Sequence, residues 1–371
     1  MFTETCRALD GLGIDTPTVV VDEQRARANI AAMAAKAARY GVRFRPHFKT
    51  HQSVDVGRWF ADAGVTAITV SSLKMARQFA TAGWSDITLA LLVNPRQLAQ
   101  LGELAWELAR RGGGLGLVVD TPEAARAVRH VIGDTAPLWI KVDTGYGRTG
   151  VAWDDKARLK SIADSAACQG LLTHAGHSYH TEASLLPGLF AETARRLAVA
   201  RSATGRLLEI SVGDTPTCTA VETFEGVDEV RPGNFVYHDL MQLDQGVCAP
   251  EQLAAVVACP IVALYPDTGR VVLHGGAVHL GKERLDGPVF GRLGTATKHG
   301  LGAPLAEAPL VDLSQEHGIV QVAPSDFDRL FGSLRTGDVL PVWPVHACLT
   351  CDLHERFITA TGKPLEREGS P

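Results

Sequence analysis

Two short stretches hold residues that could do chemistry together. Arg45-Pro46-His47-Phe48-Lys49-Thr50-His51 sets a lysine among imidazole, proline and bulky neighbours, and His346-Ala347-Cys348 offers two soft metal ligands one residue apart. A lysine amine forms a Schiff base with a carbonyl once it has shed its proton, and a desolvated or cationic setting helps. Arg45, His47 and His51 are the neighbours expected to supply that setting. Imidazole plus thiolate suits Zn²⁺ better than Mg²⁺ or Ca²⁺. Residues i and i+2 of an extended strand face the same side, so the spacing predicts His346 and Cys348 on one ion. Two protein ligands leave positions for water and substrate. The competing arrangement is a closed zinc knot of His346, Cys348, Cys351 and His354, although Cys351, an odd step away, is expected on the opposite face. Together the two stretches indicate carbonyl chemistry assisted by a Lewis acid.

The elements that must position these groups change character along the chain. Short β-branched runs at Val42–Arg45, Ala67–Ser71, Ile87–Val93, Gly116–Asp120, Leu138–Asp143, Gly170–His174, Leu207–Val212 and Asp228–Arg231 alternate with helical stretches such as Arg25–Tyr40 and Gln97–Arg111. Such alternation predicts a parallel sheet with crossover helices. Eight strands fit a closed (β/α)8 barrel, which typically takes about 250 residues. A doubly wound open sheet is the alternative, but no Gly-x-Gly-x-x-Gly follows the first strand. Beyond about Gln252, Val256–Leu264, Val271–Leu273, Gly318–Val322 and Val339–Trp343 read as strands with Gly and Pro punctuation, predicting a β-rich second domain. The expected organisation is a barrel over residues 24–251, with 1–23 and 252–371 forming the β-rich domain that carries the metal site. Barrel active sites collect at the C-terminal strand ends, and Lys49, Ser71, Asp143, Thr144, His174, Gly213 and Gly233 all fall at or just after such ends.

Composition narrows the partners. The 371 residues are 46% hydrophobic and 21% charged, as in a globular protein with a large core. A formal charge of −5 leaves no basic stripe for nucleic acid. No run of about 18 apolar residues predicts a membrane span. Met1-Phe2-Thr3-Glu4-Thr5-Cys6 lacks a basic region followed by an apolar core, so no secretory signal is expected. Seven scattered cysteines suit reduced thiols in a cytoplasm.

Further motifs follow in order: Thr16-Pro17-x-Val19-Val20-Val21-Asp22, Lys141-Val142-Asp143-Thr144-Gly145-x-x-Arg148-x-Gly150, His174-Ala175-Gly176-His177-Ser178-Tyr179, Ser211-Val212-Gly213-Asp214-Thr215-Pro216-Thr217, Arg231-Pro232-Gly233-Asn234 and Gln315-Glu316-His317-Gly318. With the lysine and His-x-Cys stretches, they make the chain resemble the D-serine dehydratase and D-threonine aldolase group, pyridoxal phosphate (PLP) enzymes of the alanine racemase fold. The resemblance implies Lys49 as the Schiff-base lysine and Gly213, Thr215, Gly233 and Asn234 as the phosphate cradle. It implies Tyr179 at the pyridine nitrogen, Arg148 facing the phenolic oxygen, and His174 and His177 beside cofactor or substrate. His346 and Cys348 would bind a divalent metal, Zn²⁺ with Mn²⁺ as the alternative. Thr18–Val21 would join the β-rich domain, and the assembly would be a homodimer.

Dehydratase relatives carry Cys at the position of Cys348, where aldolase relatives carry Asp. The implied reaction is therefore elimination from a D-3-hydroxy amino acid, most simply D-serine. Lys49 would take the α-proton and the metal would polarise the β-hydroxyl, giving a 2-keto acid and ammonia. The same parts would serve retro-aldol cleavage to glycine and an aldehyde, and an acid/base opposite Lys49 would make a racemase. A non-catalytic PLP-binding protein of the same barrel lacks a β-rich extension. His274-Gly275-Gly276-Ala277-Val278-His279 departs from the Asp-x-Gly pattern of relatives, and Val345 stands where Asn often precedes the ligand histidine.

Overall fold

Eight parallel strands form the first sheet of the computed structural model, which describes residues 2–297 and 300–367. They are β1 (Arg43–Phe44), β2 (Ala67–Val70), β3 (Asp86–Leu92), β4 (Gly114–Val119), β5 (Leu138–Asp143), β6 (Gly170–Leu172), β7 (Glu209–Val212) and β8 (Glu229–Val230). The ladder runs β1-β8-β7-β6-β5-β4-β3-β2. Just past β1, His47 pairs with Thr69 in a parallel bridge that closes it into a barrel. Each predicted strand is present. Hydroxyl residues at strand ends start the following helices: Ser72 Oγ accepts from Met75 N and Thr121 Oγ1 from Ala124 N, both at 3.1 Å.

The barrel interior is polar where β1, β7 and β8 meet. Arg45, 3% exposed, donates from Nε to Glu229 Oε2 at 2.7 Å, and Glu229 is fully buried. Ser211 Oγ donates to Glu229 Oε1 at 2.5 Å, and Arg231 Nη1 donates to the same hydroxyl. Elsewhere apolar groups fill the core, among them Val118, Trp139 and Leu172.

The second sheet is antiparallel around a closed ring of six strands: β9 (Ala255–Tyr265), β10 (Arg270–His274), β13 (His317–Gln321), β12 (Gly300–Leu313), β11 (Gly291–Thr297) and β14 (Val339–Pro344), which returns to β9. The strand Thr18–Val21 pairs with Ala255–Ala258 of β9, joining this sheet as expected. Sequence reading misses β11 and β12. Their Gly291, Gly294, Pro304 and Pro309 break the β-branched alternation, and the ladder between them shifts register twice. It also misses the helices Phe2–Asp10 and Pro324–Phe331.

The compact units divide the chain at other points than 24 and 251. The β-rich unit holds residues 1–30, 50–56 and 234–371, and the barrel unit 31–49 and 57–233. Asn29 Nδ2 donates to the carbonyls of Val236 and Gln252, and Leu240 and Leu253 are buried in the β-rich core. These contacts draw the helix start and the 234–253 segment out of the barrel.

The Arg45–Glu229 pair sets a stability expectation. Breaking a buried ion pair by removing one charge costs about 3–5 kcal/mol. Glu229→Gln should lower the unfolding free energy from urea titration by that much, whereas Glu209→Gln, at a partly exposed pair with Arg43, should cost about 1 kcal/mol or less.

Candidate active site

In the barrel unit, Lys49 stands on a pinned backbone. The buried Phe48 ring packs against Phe60, Phe79 and Trp84 with centroids 4.9, 4.8 and 5.2 Å away. Phe48 N donates to Thr69 O and Thr69 N to Pro46 O, both at 2.9 Å. Lys49 N donates to His47 Nδ1 at 3.3 Å. The lysine side chain is half-buried. The expected cationic setting is not built as foreseen. Arg45 is committed to Glu229 and Asp86. Burial drives the His51 pKa down to about 3, so this imidazole is neutral, and its Nδ1 accepts from Ser53 N at 3.1 Å.

The loops after β6, β7 and β8 converge. His174 Nδ1 lies 2.6 Å from Gly213 O, so that nitrogen carries the hydrogen and Nε2 keeps its lone pair. Burial and then the Lys49 charge push the His174 pKa down to about 3. Its ring is edge-on to Tyr146 at 5.9 Å and tilted against Tyr179 at 6.5 Å. His177 stacks on Tyr146 at 6.0 Å. A Cβ at Gly213 would sit 3.0 Å from Arg231 Cβ and 3.1 Å from Arg231 O, so only glycine fits without a shift. Gly233 N donates to Thr215 Oγ1 at 3.3 Å, tying the two loops together. Asn234, the next residue, already belongs to the β-rich unit; it is buried, and its Oδ1 has no partner.

Arg148 is exposed with its guanidinium 5.2 Å over the Tyr146 ring. Its charge also reaches Lys141, a residue that sequence reading quotes within a motif without a role. Lys141 is 5% exposed, and burial, Arg231 and Arg148 together lower its pKa to about 7. The signal available in the sequence was a lysine inside an otherwise apolar strand.

In the β-rich unit, His346-Ala347-Cys348 is not an extended run. His346 has φ −132° and ψ 104° and precedes the helix Ala347–Asp352, whose first turn contains Cys348. The side chains still meet, because His346 hydrogen-bonds to Cys348. Burial would lower the His346 pKa, but Cys348 and the hydrogen bond that His346 donates to Asp239 outweigh it and push it up to about 10. The buried Asp239 was not foreseen. Its Oδ2 lies 3.0 Å from His346 Nδ1 and accepts from Ala347 N at 3.0 Å and from Asn234 Nδ2. It also caps the helix Leu240–Gln245 through Gln242 N at 3.1 Å, an N-cap position that the sequence could have flagged. Thr50 Oγ1 is 3.1 Å from Cys348 Sγ. Cys351, one helical turn on, shares a face with Cys348 rather than opposing it. His354 turns away from any knot: its Nε2 donates to His279 O at 2.7 Å.

Comparison with known proteins identifies the family. Residues 21–240 match the alanine racemase N-terminal domain, and residues 254–360 match a putative serine dehydratase domain. The chain belongs to the D-serine dehydratase family of alanine racemase-like enzymes. It is 35% identical to D-threo-3-hydroxyaspartate dehydratase of Delftia sp. (strain HT23) over 91% of this chain and 92% of that one. The solved structure of the Delftia enzyme superposes with a TM-score of 0.85 at 33% identity, covering 96% of this chain and 98% of that one. D-serine dehydratase of Dictyostelium discoideum is 25% identical over 93% of both chains. Family membership makes the chain a lyase of the PLP-dependent fold type III class. Among the described residues, no helix is long and apolar enough to cross a membrane.

Three buried imidazoles give this chain an acid dependence. His51 and His174 are held near 3, and burial holds His354 at about 4. The unfolded chain protonates each near 6.5 while the folded chain does not, so stability is full above that pH and is lost as pH falls. Each group contributes a slope of about 1.4 kcal/mol per pH unit. Urea midpoints measured from pH 6.5 to 5 should fall steeply, and His51→Asn should remove about one proton from the slope.

Proposed function

We propose that the chain is a PLP- and divalent-metal-dependent lyase that removes the β-hydroxyl of a D-3-hydroxy amino acid, releasing ammonia and a 2-keto acid. D-serine is the simplest candidate, and the relatives' names extend the panel to D-threo-3-hydroxyaspartate. The observation that carries the reading is the His346–Cys348 pair with its buried Asp239 partner.

The barrel residues fit PLP. They offer a half-buried amine at Lys49, two loops tied by Thr215 and Gly233, and a glycine at 213 where a Cβ would crowd Arg231. The unpartnered Oδ1 of Asn234 is a buried polar atom awaiting a donor, such as an ordered water at the cofactor's edge. PLP, when bound, supplies the electron sink that makes the amino acid's Cα–H acidic. Lys49 Nζ would hold it and, once displaced by substrate, receive the α-proton. Gly213, Thr215, Gly233 and Asn234 would cradle the phosphate, Tyr179 would meet the pyridine nitrogen, and Arg148 would face the phenolic oxygen. His174, held neutral with Nδ1–H on Gly213 O, would present Nε2 as an acceptor beside the cofactor.

The metal pair fits a soft or borderline cation. Cys348 and Asp239 favour a positive charge on His346, and a cation would take the place of its proton. Zn²⁺, when bound, supplies a Lewis acid for the leaving hydroxyl. Asp239 on Nδ1 leaves Nε2 of His346 as the ligating nitrogen and fixes the ring's direction. Cys348 Sγ is the second ligand, and its thiolate charge favours few waters on the ion.

The test is a product assay on D-serine and D-threo-3-hydroxyaspartate. Keto acid and ammonia should form faster than glycine, and Lys49→Ala should abolish both. Asp239→Asn should weaken metal affinity about 10–100-fold while leaving the PLP absorbance band. Glycine plus aldehyde as the main products would replace elimination by retro-aldol cleavage, and conversion to the L-isomer would make the chain a racemase.

A further inference from the structure

A second group of metal-ligand side chains lies in the β-rich unit, built from His274, His279 and Glu316. Strand β10 ends at His274, paired opposite His317 of β13. Gly275 N donates to Glu316 O at 2.9 Å and Ala277 N to Ser314 O at 2.8 Å, so the two turns lie backbone against backbone. That approach needs Gly276: a Cβ there would come within 2.4 Å of Gln315 O and 2.5 Å of Ser314 O. The short helix Ala277–Leu280 then folds His279 back onto His274, ring centroids 5.2 Å apart and planes at 89°. His354 Nε2 on His279 O secures that helix from its far side. The pattern His-Gly-Gly-Ala-Val-His, which departs from the relatives' pattern, thus has a local structural purpose.

One ligand atom from each of the three side chains lies within 4.8 Å of the others, a convergence found for this group among the described residues. His274 Nε2 is 3.9 Å from Glu316 Oε2, too long for a hydrogen bond. Glu316 Oε1 is held by Gln315 Nε2 at 3.2 Å, which leaves Oε2 toward the histidines. His279 Nδ1 is buried and has no hydrogen-bond partner. An ordinary His–Glu surface pair would account for neither the long separation nor that nitrogen. Tetrahedral zinc, with bonds of about 2.0–2.1 Å, holds its ligand atoms about 3.4 Å apart. Ligand atoms up to 4.8 Å apart would close by at most about 1.4 Å to reach that spacing, and the Glu316 side chain is exposed.

The geometry points to a second divalent-metal site, distinct from His346–Cys348, in which His274, His279 and Glu316 bind a Zn²⁺-class ion. Two imidazoles and a carboxylate form a nitrogen/oxygen donor set that leaves one tetrahedral position for water or an anionic oxygen. Burial and the neighbouring His274 lower the His279 pKa, which favours the neutral, ligating form. The ion would lock the β10 turn to the turn before β13.

The experiment uses full-length chelator-treated protein titrated with Zn²⁺ by calorimetry and with Co²⁺ by absorption spectroscopy. The spectrum separates the two sites, since Cys348 gives a thiolate-to-cobalt charge-transfer band and the His274–His279–Glu316 set does not. His346→Ala/Cys348→Ala should still bind one equivalent of zinc, with cobalt bands of nitrogen/oxygen type only. Adding His279→Ala should remove that equivalent, and Glu316→Gln should weaken it. His274→Gln serves as the second variant, and circular dichroism of the metal-free proteins checks folding. If His346→Ala/Cys348→Ala binds no zinc, or keeps its equivalent after His279→Ala and His274→Gln, the second site is refuted. Loss of the charge-transfer band from wild type alone would count against the His346–Cys348 reading and leave this one standing.

Discussion

Glu229 is the constraint on which the barrel side of the molecule depends. It is a fully buried carboxylate that accepts from Arg45 and from Ser211, and through Ser211 it is joined to Arg231. These partners sit on β7 and one residue past the ends of β1 and β8, the strands whose C-terminal loops carry Lys49, Gly213–Thr215 and Gly233. One interior charge therefore fixes the relative height and register of the three strands. Arg231 continues the relay to Thr173 O, two residues beyond which lies Ala175 in the His174 loop. Phe48 is the apolar counterpart, clamped among three aromatic rings. It keeps its neighbour Lys49 from following into the helix layer.

The β-rich unit uses a comparable device on a smaller scale. Asp239 holds His346, the Ala347 amide and Asn234 at once while capping its own helix. A carboxylate with so many donors stays ionised despite burial, and its pKa is lowered. An ionised Asp239 directs His346 whether or not a metal is present. The His346–Cys348 pair is thus arranged by folding alone.

Much of the barrel was legible because its strands are short, β-branched and separated by helices with N-cap residues, signals that survive without tertiary context. Lys49, His174, Gly213 and Gly233 were expected at or just after strand ends, and each follows a barrel strand. What escaped has identifiable causes. β11 and β12 are rich in glycine and proline and keep their pairing through the closed ring, so no local pattern marks them. The His346 pair was expected on a strand because i and i+2 converge there; a bend into a helix brings the same side chains together by another route. Asp239 and Glu229 also bind residues remote in sequence, 107 positions away for Asp239 and His346. His51 was expected to bring charge, but complete burial keeps its imidazole neutral.

The chain passes between its two compact units at 30/31, 49/50, 56/57 and 233/234. Two of these crossings fall directly beside Lys49 and Gly233. Neither unit is therefore a contiguous segment, and no single crossover between related genes can exchange one unit whole. A cut near residue 252, where the sequence changes texture, would carry His346 and Cys348 but leave behind Thr50, His51 and Asp239. Recombination within this family would have to preserve the short 50–56 insert along with the long C-terminal part. The His346–Cys348 pair and the lysine motif are thereby obliged to be inherited together.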